Sequence, residues 1–122
     1  MKQRILVVED NPPSRELLCD WLETEGYAVI MAADLKEGFA ALQGQPPNLV
    51  LLDVKIGTDD GLTLASWMRQ QLALQFIPVI AVTAHAMVTE QARIYQAGCN
   101  AVVSKPVDFL SLRQQIQKWL AH

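Results

Sequence analysis

Four short apolar runs punctuate this chain of 122 residues, and each leads into a side chain with chemistry to offer. Ile5-Leu6-Val7-Val8 leads into Glu9-Asp10, and Leu49-Val50-Leu51-Leu52 into Asp53. Val79-Ile80-Ala81-Val82 leads into Thr83, and Ala101-Val102-Val103 passes through Ser104 into Lys105. Runs of this length bounded by polar residues read as buried strands. The segments between them carry apolar residues at helical spacing, so strand and helix alternate along the chain. That alternation implies a doubly wound parallel sheet with short links. In an open parallel sheet the strand C-terminal ends share one edge, where ligand sites lie. Three carboxylates, a hydroxyl and an ammonium therefore meet there.

Local signals place the remaining elements. Asn11 caps a helix with Pro12 at its first position, and Leu17, Leu18, Trp21 and Leu22 form its apolar face. Gly26 stops it, and Tyr27 to Ala32 reads as a second strand. Asp34 and Glu37 read as a capping box for a helix carrying Phe39 and Leu42, which Gly44 to Pro47 breaks. After Asp53, Gly57-Thr58-Asp59-Asp60-Gly61 reads as a loop before a helix bearing Leu62, Ala65, Met68 and Leu72. Pro78 opens the fourth strand. A helix from about Ala86 to Ala97 ends at the C-cap Gly98, and a last helix carries Phe109, Leu112, Ile116 and Leu120. The expectation is an α/β fold of five βα units forming a single domain, 1–122. The fifth helix ends close to His122, which leaves no room for an output domain, and Met1 favours a free-standing protein.

Composition narrows the function classes. A net charge of −3 argues against a nucleic-acid-binding surface. Cys19 and Cys99 have neither CxxC nor Cys/His spacing and read as two reduced thiols of a cytoplasmic protein. The four apolar residues before Glu9 are too few for a signal-peptide core, and no stretch approaches a membrane span.

The expected edge suits Mg²⁺ and phosphoryl chemistry. Mg²⁺ takes hard oxygen ligands, which Glu9, Asp10 and Asp53 supply. Clustered carboxylates raise one another's pKa, and a divalent cation reverses that. An ionised carboxylate beside the metal can attack a phosphoryl group and form an acyl phosphate. Lys105 offers a fixed cation and Thr83 a donor for the charge that spreads over the transferring oxygens. None of these residues decides the matter alone. Glu9-Asp10 also fits an exposed turn, Asp53 a capping position, Thr83 a strand end and Lys105 a solvated charge. Their order at the ends of successive strands decides it.

The stretches ILVVEDN at 5–11, LVLLDVKIGTDDG at 49–61, VIAVTAHAM at 79–87 and AGCNAVVSKP at 97–106 combine these residues at a distinctive spacing. With them the whole chain resembles the receiver domains of two-component response regulators. TAHAM and AGCNAVVSKP are most similar to stand-alone receivers and receivers of hybrid kinases. The resemblance implies a flavodoxin-like sheet of strand order 2-1-3-4-5. It implies that Asp53 is phosphorylated by a sensor histidine kinase or phosphotransfer protein. Asp10 would ligate Mg²⁺ (or Mn²⁺) directly, Glu9 through water, and the main-chain carbonyl of Lys55 would complete the protein's ligands. Thr83 and Lys105 would contact the phosphoryl group, and the Lys105–Pro106 bond is often cis in such proteins. A receiver catalyses its own aspartyl phosphorylation and slow dephosphorylation and is not a metabolic enzyme. Its downstream protein partner would bind the face of the fourth helix, fifth strand and fifth helix. Met87, Val88, Ile94, Tyr95 and Trp119 lie there, most of them expected in the core, with Tyr95 and Trp119 the surface candidates.

Three positions depart from the family pattern. Val102 stands where an aromatic usually moves inward with the threonine, so Thr83 is expected to shift with a different surface readout. Lys55, aided by His85, is expected to overhang the site and obstruct attacking water. Gly57 replaces a proline common in this loop and leaves it more permissive. Rival readings are a pseudo-receiver that binds partners without phosphorylation, a small phosphatase with an aspartyl-phosphate intermediate, and a nucleotide-binding module. The complete set of acids, threonine and lysine opposes the first. The nucleophile's place on the third strand opposes the second. The lack of a glycine-rich loop after the first strand opposes the third.

Overall fold

Strands follow the apolar runs closely in the computed structural model, which describes residues 2–121. Met1 and His122, the two ends of the expected 1–122 domain, lie outside the described residues. The strands are β1 (Arg4–Val8), β2 (Ala28–Ala32), β3 (Leu49–Asp53), β4 (Val79–Thr83) and β5 (Ala101–Ser104). The helices are α1 (Pro12–Thr24), α2 (Leu35–Gln43), α3 (Leu62–Arg69), α4 (Val88–Gln96) and α5 (Phe109–Leu120). All five strands pair in parallel in the order β2-β1-β3-β4-β5, the flavodoxin-like order expected.

Both faces of this sheet are covered, which is why its central strands are apolar throughout rather than alternating. Ile5, Val7, Leu49, Leu51 and Ile80 pack with Leu18 and Leu22 of α1 and Leu112 and Ile116 of α5. Leu6, Val8, Val50, Leu52 and Ala81 face the other way, onto Leu42 of α2, Leu64 and Met68 of α3 and Ile94 of α4. Cys19 and Cys99 are buried free thiols, pushed up by burial to about 11 and about 12 respectively. Among the described residues, no helix is long and apolar enough to cross a membrane.

The caps form largely as expected. Asn11 accepts from the Ser14 N–H, and Gly26 and Gly98 take positive φ just beyond α1 and α4. Asp34 accepts from the Glu37 N–H at 2.8 Å, but the Glu37 carboxylate accepts from Ala33 rather than closing a box on Asp34. Three details differ. Leu17 is 58% exposed, because α1 turns Leu18, Cys19 and Leu22 to the core. Leu72 is 90% exposed, because α3 ends at Arg69. The Arg69 guanidinium donates to the carbonyls of Gln75, Ile77 and Gly98 and so fixes the turn that follows. The fourth helix begins at Val88, not near Ala86, since Met87 is its N-cap and accepts from the Gln91 N–H.

The stretch after Asp53 is more than a loop. Lys55–Ile56 pairs antiparallel with Asp59–Asp60, forming a small hairpin separate from the main sheet. Val54 and Ile56 anchor it in the core.

Candidate functional site

The strand ends meet as the parallel sheet requires. Glu9 continues β1, its N–H donating to the Ala32 carbonyl at 3.0 Å, which draws its side chain inside the edge at 1% exposure. Asp53 is the last residue of β3, paired in register with Val82, and is 7% exposed. Thr83 closes β4 at 4% exposure, and Ser104 pairs with it from β5. The Lys105 N–H donates to the Thr83 carbonyl at 2.8 Å, and the Lys105–Pro106 bond is cis.

This placement carries the Lys105 ammonium between two buried acids. Nζ donates to Glu9 Oε2 and to Asp53 Oδ2, each at 2.9 Å. Asp53 Oδ1 accepts from the Lys55 N–H at 3.3 Å, and Glu9 Oε1 from the Asn11 N–H at 3.1 Å. Asp10 is exposed, and its Oδ2 accepts from the Gly57 N–H at 2.9 Å. Thr83 Oγ1 accepts from the His85 N–H at 3.0 Å.

One carboxylate oxygen each from Glu9, Asp10 and Asp53 lie within 4.8 Å of one another. Three carboxylates against one ammonium leave the cluster short of positive charge. Hard oxygens converging this closely fit a small divalent cation. Burial raises the Glu9 pKa and the Asp53 charge raises it further, against the pull of Lys105 and the Asn11 N–H. For Lys105, burial works to lower the pKa, but the hydrogen bonds to Asp53 and Glu9 outweigh it and the net shift is upward. An ion pair alone would lower its acid. Here one ammonium serves two carboxylates, and the more deeply buried of them stays desolvated. Its charge-assisted contacts keep Lys105 protonated.

The other anticipated residues lie around this centre. Lys55 and His85 are exposed and line an open hollow of about 340 Å³ beside Thr83, between the hairpin and α4. Across it, Arg93 pairs with Asp60 of the hairpin at 2.7 Å and with Glu90 at 2.7 Å. Val102 is half-buried on β5 and packs against the core on the α4 side, away from the acids. On the expected output face Ile94 is buried and Tyr95 exposed. Met87 and Val88 are exposed rather than core, because the helix starts only at Val88. Trp119 is half-buried against the α5-side core, its Nε1 donating to Gln115.

Arg15 had no sequence signal, and Gly61 was read only as the end of a loop. Arg15 donates from its guanidinium to the Glu9 carbonyl at 2.9 Å, steadying the first acidic turn. Gly61 donates its N–H to the Val54 carbonyl at 2.6 Å, and a Cβ there would sit 2.1 Å from the Asp53 carbonyl oxygen.

Comparison with known proteins gives a consistent result. A family model described as response regulator receiver domain matches residues 5–117. The polar-differentiation response regulator DivK of Brucella ovis is 34% identical over 120 residues, covering 98% of each chain. A CheY-like response regulator receiver domain protein of Methanospirillum hungatei superposes with a TM-score of 0.90 at 30% identity, over 99% of this chain and 95% of that one. The receiver domain of a Pseudomonas aeruginosa sensor histidine kinase, with a magnesium ion coordinated in its active-site cleft, gives a TM-score of 0.91. It is 30% identical, with both chains fully covered.

Proposed function

Because the chain belongs to the response regulator receiver family and so to two-component signalling, we propose that it is a phosphorylation-controlled binding module that accepts a phosphoryl group on Asp53. The observation behind this reading is the Lys105 ammonium held 2.9 Å from both Glu9 and Asp53 within a cluster of three acids. The donor is the phosphohistidine of a sensor kinase or phosphotransfer protein. An Asp53 carboxylate oxygen attacks phosphorus. The new O–P bond forms as the P–N bond breaks, and the bonding pair stays on the imidazole nitrogen, which takes a proton from water.

Lys105 orients the Asp53 carboxylate before transfer and pairs with a phosphoryl oxygen after it. Thr83 turns its hydroxyl toward the same group, giving up its acceptance from the His85 N–H. Glu9, Asp10, Asp53 and the Lys55 carbonyl would hold Mg²⁺ (or Mn²⁺), Glu9 through water. Bound there, the ion would supply positive charge against the transferring oxygens. A related receiver binds magnesium in its cleft, which supports the same use here.

The surroundings fit a docked donor. An apolar groove of about 490 Å³ opens beside Lys105, lined by Leu17, Leu18, Pro106, Val107 and Phe109. The exposed Leu17 offers a donor protein an anchor there. A downstream partner would use α4, where Met87, Val88 and Tyr95 are exposed. Cytoplasmic residence belongs to the same reading.

Intact-protein mass after incubation with acetyl phosphate and Mg²⁺ tests it. One phosphoryl adduct is expected in the parent chain and none in Asp53→Asn. A kinase-donated phosphoryl group that also fails to add would leave the pseudo-receiver reading. The same samples, followed after donor removal, test the overhanging Lys55. Lys55→Ala is expected to lose its adduct faster, and an equal or longer lifetime would remove Lys55 from the water-blocking role.

A further inference from the structure

A single hydrogen bond ties the first acidic turn to the hairpin beyond Asp53. The Gly57 N–H donates to Asp10 Oδ2 over 2.9 Å, across 47 positions of sequence. The three acids are held in unequal ways. Glu9 and Asp53 are buried, and each has both oxygens engaged by Lys105 and by a main-chain N–H. Asp10 is exposed, and an exposed carboxylate is free to exchange rotamers. The Gly57 N–H does for Asp10 what burial does for the other two.

Hairpin geometry makes that N–H available. Lys55 pairs with Asp60 and Ile56 with Asp59, so Gly57 and Thr58 form a two-residue loop. Gly57 has φ +61, and among the described residues only glycines take positive φ. Glycine at the first of two loop positions with positive φ fits a type II′ hairpin turn. The hydrogen bond of such a turn joins its first and fourth residues, so the N–H of the second is not consumed. Val54 and Ile56, packed in the core on the near side of the loop, hold the donor in place.

We propose that Gly57 is a positioning residue for divalent-cation binding, its N–H fixing one oxygen of Asp10 and leaving the other to the cation. This rests on the reading of Glu9, Asp10 and Asp53 as the metal site. Partners that orient a ligating carboxylate are commonly worth about 10–100-fold in metal affinity. The hairpin therefore sets the strength of the metal site as well as the path of the chain.

Two variants bracket the contribution of this loop position, and amide exchange isolates the hydrogen bond itself. Gly57→Pro has no N–H and cannot reach positive φ. Gly57→Asn keeps the N–H, and asparagine is among the residues that primed turns use. Mn²⁺ affinity, read from the electron paramagnetic resonance of free Mn²⁺, is expected to fall about tenfold or more in Gly57→Pro. It is expected to stay within about threefold of the parent in Gly57→Asn. A Gly57→Pro protein that binds as the parent does, or a Gly57→Asn protein as weak as Gly57→Pro, overturns the proposal. A measurement independent of these variants is amide hydrogen exchange at Gly57, expected slow in the parent and fast in Asp10→Ala. Equal rates overturn the proposal even if Gly57→Pro does not fold. A parent protein that binds no Mn²⁺ ends the metal-site reading itself. Binding that ignores Gly57 ends only this inference.

Discussion

Lys105→Ala is expected to separate cation binding from phosphoryl acceptance, strengthening the first and nearly abolishing the second. The ammonium donates to Glu9 Oε2 and Asp53 Oδ2, two of the acids that would hold a cation. Among the described residues it is the cation paired with Glu9 and Asp53, so its removal leaves the three carboxylates less neutralised and the field drawing in Mg²⁺ grows. Transfer depends on a fixed charge placed where the phosphoryl oxygens arrive. Loss of one such preorganised donor commonly costs about 10²–10³-fold in rate. Deleting one partner of a buried ion pair destabilises by about 3–5 kcal/mol. The Lys105 side chain is a quarter exposed, and Glu9, already raised in pKa, can take up a proton, so a loss near or below about 3 kcal/mol is expected. Added Mg²⁺ should restore more of the melting temperature in the variant than in the parent. Phosphorylation kinetics by intact mass, Mn²⁺ binding and thermal unfolding check the three arms. Undiminished acceptance, or cation affinity that falls with the charge, would show that Lys105 is only a structural strap.

The same residues show what a sequence of this kind discloses. An all-apolar run followed by a polar residue reports two things at once, burial on both faces and the place where burial ends. That is why Glu9, Asp53, Thr83 and Lys105 were legible, and why the five-stranded sheet followed. Helix faces were legible less finely. Leu17 and Leu72 satisfy helical spacing, yet one lies outside the α1 stripe and the other past the end of α3. Spacing alone does not register where a helix stops. The stop after Arg69 depends on carbonyls of residues 75, 77 and 98, contacts that exist only in the fold. The hairpin after Asp53 was hidden for another reason. Strands of two residues have no period to detect, and a leading glycine is a weaker hairpin signal than Asn-Gly or Asp-Gly. Asp60 and Arg93 lie 33 positions apart, so their pairing across the hollow beside Thr83 needed the structure as well.

Gly61→Ala is expected to do the most damage for the least added mass. Gly61 has φ −59 and ψ −26, ordinary values for any residue, so its backbone conformation gives no reason for glycine. The reason is space. A Cβ at this position would lie 2.1 Å from the Asp53 carbonyl oxygen and 3.0 Å from that of Val54. Both obstacles are main chain of the Asp53 segment itself and cannot rotate aside. The chain approaches this closely because the Gly61 N–H donates to the Val54 carbonyl at 2.6 Å as the loop returns to begin α3. A methyl group must push β3's end and α3's start apart, losing that bond and tilting Asp53 away from Lys105. Overpacking costs about 1–3 kcal/mol where side chains can yield, and the upper end or beyond is expected against backbone. For a chain of this size that is roughly 10 °C in melting temperature. Gly38→Ala supplies the contrast. Its nearest new contact is a Leu64 side-chain methyl at 3.3 Å, inside a helix that gains from alanine, so a change within about 1 kcal/mol is expected. Thermal unfolding of both variants, with phosphoryl acceptance by intact mass, decides the point. A Gly61→Ala protein that melts with the parent and still takes a phosphoryl group would show that the loop after Asp53 yields. The position of Asp53 would then not depend on how closely that loop packs.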